Sequence, residues 1–138
     1  MKSLGLFSLF AAALATQNVD FGVLSMTSAE NEYGQSLIVV TDKIFISDRM
    51  TVFRYDANSK ILRVSPGKYL GINQHGKLAI ENAPQYGFHV DNTTATRWLK
   101  YHGDGKFYTC ADKQVGTKGT CAGAREVSIF FEPFAWKS

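Results

Sequence analysis

Cysteine and histidine are scarce in this chain, and what is missing around them excludes most catalytic chemistry. The 138 residues hold two cysteines and three histidines. Two cysteines cannot supply a structural zinc set, and Cys110 and Cys121 lack the C-x-x-C spacing of a redox pair. His75, His89 and His102 stand far apart with no i, i+4 partner, so no metal site is expected. There is no G-x-S-x-G nucleophile turn, H-E-x-x-H zinc motif, glycine-rich phosphate loop or D-x-D-x-D-G calcium loop. No catalytic set and no cofactor is implied. Nor is there a block of one charge: 15 Lys and Arg are scattered among 12 Asp and Glu. That balance is too mild to argue for nucleic acid or an anionic membrane as partner. No apolar run reaches the ~20 residues of a membrane-spanning helix. The C-terminal stretch lacks the hydrophobic tail of a glycolipid-anchor signal, so no membrane anchor is expected.

What is present begins with a leader. Met1-Lys2-Ser3 is short and basic, Leu4 to Leu14 is apolar, and Ala13-Leu14-Ala15 has the small-x-small form of a signal-peptidase site. Residues 1–15 read as a secretory signal peptide and residues 16–138 as a single all-β domain. Loss of Lys2 lowers the formal charge of +3 by one. Export makes a Cys110–Cys121 disulfide the expected state of the pair. Asn92-Thr93-Thr94 is the one N-glycosylation sequon, placed in a polar turn, so Asn92 is the expected glycan site.

Beyond the leader, apolar residues come in short β-branched and aromatic runs. Ser36 to Val40, Lys43 to Ile46, Met50 to Phe53 and Val127 to Phe131 are examples. Turn signals at Asp56 to Ser59, Ser65-Pro66-Gly67, His75-Gly76 and Gly103-Asp104-Gly105 separate them. Short strands with turns at this spacing indicate a β-sandwich or barrel.

The chain also repeats itself. Phe53-Arg54-Tyr55-Asp56 is answered by Phe88-His89-Val90-Asp91, Leu62-Arg63-Val64 by Leu99-Lys100-Tyr101, and Gly67-Lys68-Tyr69-Leu70 by Gly105-Lys106-Phe107-Tyr108. Self-similarity at such a period means one supersecondary unit used more than once. The middle unit is read as four strands from Val52 to Glu81. The later unit is read as Phe88 to Val127–Glu132, with the cysteine loop inserted before its last strand. A fainter first unit is read with Phe21-Gly22-Val23 as its first strand, Leu37 to Val40 as its second, and Met50 to Phe53 closing it. Three four-stranded units predict a single compact barrel of the β-trefoil type, with an open β-sandwich as the alternative.

Two kinds of site follow. Asp56 and Asp91 are the best acidic pair for glycosidic chemistry. They occupy equivalent positions in successive units, however, where an Asp caps a turn with its own side chain. Exposed aromatics are the other resource, from Trp98, Tyr101, Tyr108, Tyr86 and Trp136. Leu99 and Phe107 match Leu62 and Tyr69 as core residues. Trp98 aligns with Ile61 on the other face, which makes Trp98 the candidate ligand-binding aromatic.

The order Phe21-Gly22-Val23, Phe53-x-x-Asp56 to Leu62, Tyr86 to Val90, Trp98 to Tyr101, Phe107-Tyr108-Thr109-Cys110, Cys121 and a final strand at Val127 to Phe131 carries a family resemblance. It resembles fungal secreted cell-wall proteins of the phialide-associated type and, more distantly, the C-terminal domain of yeast cell-wall proteins with internal repeats. They share the run L-x-x-x-G-x-x-x-F-Y-x-C approximated by Leu99 to Cys110. The resemblance implies a non-enzymatic extracellular protein bound to cell-wall polysaccharide or to wall proteins. The glutamine-containing repeats used for covalent glucan attachment are missing, which favours non-covalent retention or free secretion. The rival expectations are a secreted effector or inhibitor acting on another protein, and a small glycan hydrolase.

Overall fold

Alternation of buried and outward side chains builds β-strands at Phe53–Asp56, Phe88–Val90, Phe107–Thr109 and residues 127–132. In the last one, Val127, Ile129 and Phe131 are buried while Ser128, Phe130 and Glu132 point the other way. In Phe53-Arg54-Tyr55-Asp56, Phe53 and Tyr55 turn inward. The computed structural model describes residues 19–28 and 35–134. The expected leader and Trp136 lie outside the described residues.

Twelve strands follow one another without an intervening helix among the described residues. They are β1 (Val19–Ser28), β2 (Gln35–Val40), β3 (Lys43–Ser47), β4 (Phe53–Asp56), β5 (Ile61–Ser65) and β6 (Lys68–Ile72), then β7 (Leu78–Glu81), β8 (Phe88–Val90), β9 (Leu99–Tyr101), β10 (Phe107–Thr109), β11 (Val115–Gly116) and β12 (Arg125–Pro133). Pairing runs β1-β2-β3-β7-β6-β5-β4 and returns to β1, closing a ring of seven strands. An open sandwich is thereby excluded. β12 lies on the other edge of β1, and the β8–β9 ribbon joins it through the Trp98–Phe130 bridge.

The registers resolve three equivalent units. Tyr55 faces Leu62, Val90 faces Leu99, and Phe131 faces Leu24 across their strand pairs. Leu24, Leu62 and Leu99 form one core layer, none more than 1% exposed. Each such burial contributes roughly 1.5–3 kcal/mol. A second layer comes from the hairpins β2–β3, β6–β7 and β10–β11. Their turns interlock cyclically: Ile46 N–H donates to Lys113 O, Ile80 N–H to Asp42 O, and Thr117 N–H to Gly76 O, each at 2.9 Å. All three accepting residues have left-handed backbones, with φ of 60° at Asp42, 75° at Gly76 and 68° at Lys113. This is a barrel of three four-stranded units in the trefoil manner.

Three expectations about the units are corrected. The first unit does not begin at Phe21. β1 is its second strand and β12 is its first, so the two ends of the chain complete one unit between them. In the later unit, the last strand is β11, inside the cysteine loop, and Val127 to Glu132 belongs to the next unit. Phe107 corresponds to Leu70 rather than Tyr69. Burial decides this, because Leu70 is 1% exposed and Phe107 0%, while Tyr69 is half-buried and paired with Arg63 and Glu81 on the outer side.

Candidate functional site

The equivalence of Asp56, Asp91 and Glu132 locates the site. Asp56 Oδ1 accepts the Asn58 N–H at 2.9 Å, and Asp91 Oδ1 accepts the Thr93 N–H at 2.9 Å and the Thr93 hydroxyl at 2.7 Å. Both cap the turn that leads to the next strand, β4 to β5 and β8 to β9. In the split unit no such turn exists, because β12 and β1 come from opposite ends of the chain. Glu132 is exposed, and its Oε1 instead accepts the Ser25 hydroxyl at 2.7 Å.

Two clefts meet at this carboxylate, and Phe130, Glu132 and Pro133 form their shared wall. The larger, about 460 Å³, adds Ser25, Gln35, Asp48, Met50 and Phe134 to that wall. Met50 is 57% exposed and Phe134 39%, so the cleft has an accessible apolar side. Its polar side includes the buried Gln35 Oε1, which accepts no hydrogen bond among the described residues. The smaller cleft, about 380 Å³, runs past Thr94, Thr96 and Arg97. Arg97 Nη1 is paired with Asp20 Oδ2 at 3.1 Å, which offsets its charge there. Gly22 permits the close approach of β12, since a Cβ at this position would run into the Glu132 carbonyl and the Phe131 ring.

Trp98 is half-buried and meets Phe130 edge-on, with ring centroids 5.9 Å apart and planes at 75°. Its position before Leu99 aims it at the outer side of β12, where it buttresses the shared wall. Asn92 is exposed in the turn capped by Asp91, open to modification. Cys110 and Cys121 are bonded, with Cα atoms 5.8 Å apart. His75 and His102 are exposed in turns and His89 is half-buried. Among the described residues no cluster of three or more His, Cys, Asp or Glu could hold a metal ion.

The expected acid pair, Asp56 and Asp91, is committed to turns, whereas Asp48 and Glu132 line one cleft. Neither Phe130 nor Glu132 was singled out from the sequence. The signal was present: Ile129-Phe130-Phe131-Glu132 repeats the apolar-x-apolar-acid form of Phe53 to Asp56 and Phe88 to Asp91.

No protein-family model, curated protein or solved structure matches the chain.

Proposed function

We propose that this protein is a non-enzymatic, exported binding module whose paired clefts hold an extended polysaccharide of a cell wall or cell surface. The observation that carries the reading is the release of Glu132 from the turn-capping duty of its two counterparts into a wall shared by two adjoining clefts. A sugar ring offers an apolar C–H face and a rim of hydroxyls. Phe130, Met50 and Phe134 suit the first; Glu132, Gln35 and Ser25 suit the second. Two clefts with a common wall suit a polymer better than a single sugar. The carboxylates of Asp48 and Glu132, with no basic residue lining the larger cleft among the described residues, favour neutral or amino-bearing polymers over acidic ones.

Pull-down on insoluble glucan, chitin and mannan tests this. Retention on at least one, released by Phe130→Ala, is the expected result. Retention on none overturns it.

A second reading, a glycan hydrolase, is favoured by the placement of Asp48 and Glu132 in one cleft. Both are solvent-exposed, whereas a glycosidase holds its proton donor in an enclosed apolar setting. Among the described residues no imidazole lines the cleft to take a hydroxyl proton from the Ser25–Glu132 pair, which disfavours acyl transfer. Release of reducing sugar from the retained polymer, abolished by Glu132→Gln, would replace the binding reading with the hydrolytic one.

A further inference from the structure

A third cavity, about 220 Å³, adjoins the smaller cleft at Arg97, which lines both, and its chemistry is different. Asp20, Tyr55, Lys60, His89, Asn92 and Arg97 line it. It sits where the start of β1, the β4–β5 turn and the end of β8 come together.

Donors outnumber acceptors in this cavity. Arg97 gives one N–H to Asp20, its one side-chain partner among the described residues, and the rest of its guanidinium fork is unspent. Lys60 has no side-chain partner among the described residues, and its left-handed turn backbone, φ 59°, places it at the cavity wall. Tyr55 is 5% exposed, and its hydroxyl oxygen accepts the Val90 N–H at 3.3 Å. Burial pushes the Tyr55 phenol up, so it keeps its proton, for which no acceptor is found among the described residues. His89 Nδ1 is buried without a partner among them. The Asn92 amide adds two more N–H groups. Among the described residues one carboxylate lines the cavity, Asp20, paired with Arg97, and the Asp56 charge reaches Tyr55 from the neighbouring turn. A polar cavity with spare donors and net positive charge is a receptor for negative oxygen.

We infer that this cavity is a binding site for a single oxyanion group, a carboxylate, sulfate or phosphate, held by Arg97, Lys60 and the Tyr55 hydroxyl. The group can be a free inorganic ion or a substituent on a larger molecule, such as the carboxylate of a uronic acid. The site shares Arg97 with the smaller cleft, but its assignment does not rest on the polysaccharide reading.

The test uses the chain expressed without N-glycosylation, because Asn92 stands at the cavity. Thermal unfolding and calorimetric titration are run with sodium sulfate, sodium phosphate and sodium glucuronate, each against sodium chloride at matched ionic strength. A saturable rise in Tm with at least one oxyanion, absent with chloride, is expected. Stronger binding of glucuronate than of sulfate and phosphate would point to a sugar acid, and the reverse to a free inorganic ion. Lys60→Ala, a substitution of an exposed turn residue, should weaken binding about tenfold, and Tyr55→Phe should weaken it while leaving the fold intact by circular dichroism. Equal shifts with chloride and with every oxyanion, or unchanged affinity in both variants, would overturn the assignment.

Discussion

Glu132 Oε1 accepts the hydroxyl of Ser25 at 2.7 Å, a bond that spans 107 positions of sequence and ties together the two ends of the fold. It exists because β12 and β1 form one hairpin-like pair without a connecting turn. The same register position in the other two units carries Asp56 and Asp91, each consumed by its own turn. A break in the chain therefore converts a structural acid into one that faces a cleft.

The strand pair that carries Glu132 depends on Gly22, which lies opposite both Phe53 and Pro133. Gly22→Ala forces β12 away from β1. A loss of more than about 1 kcal/mol is expected in urea unfolding, together with weaker polysaccharide retention, because overpacking of this kind costs about 1–3 kcal/mol. Unchanged stability would mean that β12 can shift without penalty.

The three-unit core makes a comparative prediction. Leu24, Leu62 and Leu99 occupy equivalent, fully buried positions. Substitution of each by Ala should cost about 2–5 kcal/mol. The three costs should also resemble one another, which denaturant titration of the three variants can check. A Leu24→Ala cost far below the other two would show that the split unit is loosely packed.

The Cys110–Cys121 bond encloses β11, and with it Val115 and the Lys113 carbonyl that accepts the Ile46 N–H. Replacing both cysteines by Ser should lower stability by about 3 kcal/mol through restored chain entropy. The loss should also appear locally, as faster hydrogen exchange at the Ile46 amide than at its counterpart Ile80. Equal acceleration at both would place the effect on the whole fold rather than on the β10–β11 hairpin.

Acid should reveal the turn cap at Asp91. The Thr93 N–H and the Thr93 hydroxyl, with Lys100 adding to them, hold this carboxyl down to about 2 from its usual 3.8. A folded-state value below the unfolded one contributes stability above about pH 4, and that contribution is lost as pH falls toward about 2. In thermal melts over that window the wild type should lose Tm more steeply than Asp91→Asn. Parallel slopes would mean that Asp91 is not held in this way.

Much of the fold was legible in the sequence because the repeated residues are the ones that do equivalent work. Leu62 and Leu99 recur because both fill one core layer, and Asp56 and Asp91 recur because both cap the same kind of turn. The third copy was hard to see for a topological reason. Its first strand, with Ile129, Phe131 and Glu132, comes after the other three with two whole units between, so a linear reading assigns it to the preceding unit. The Gly-Lys match at 67–68 and 105–106 misled by one residue, since turn composition tolerates a slip that core burial at Leu70 and Phe107 does not. The site was less legible. Phe130 and Glu132 matter through what lies beside them, and no local pattern states that Ser25 and Asp48 will be there. Trp98, expected as an exposed ligand-binding aromatic, is instead half-buried against Phe130 and lines neither cleft, a placement that depends on β12.

The most direct test of the central claim is nitrogen-15 NMR of the labelled protein titrated with soluble oligosaccharides of glucan, chitin and mannan type. Saturable shifts confined to the amides of Ser25, Thr94 to Arg97 and Phe130 to Glu132, lost in Glu132→Ala but kept in Asp56→Ala, are the predicted result. Absence of any saturable shift, or shifts centred elsewhere on the barrel and insensitive to Glu132, would contradict it.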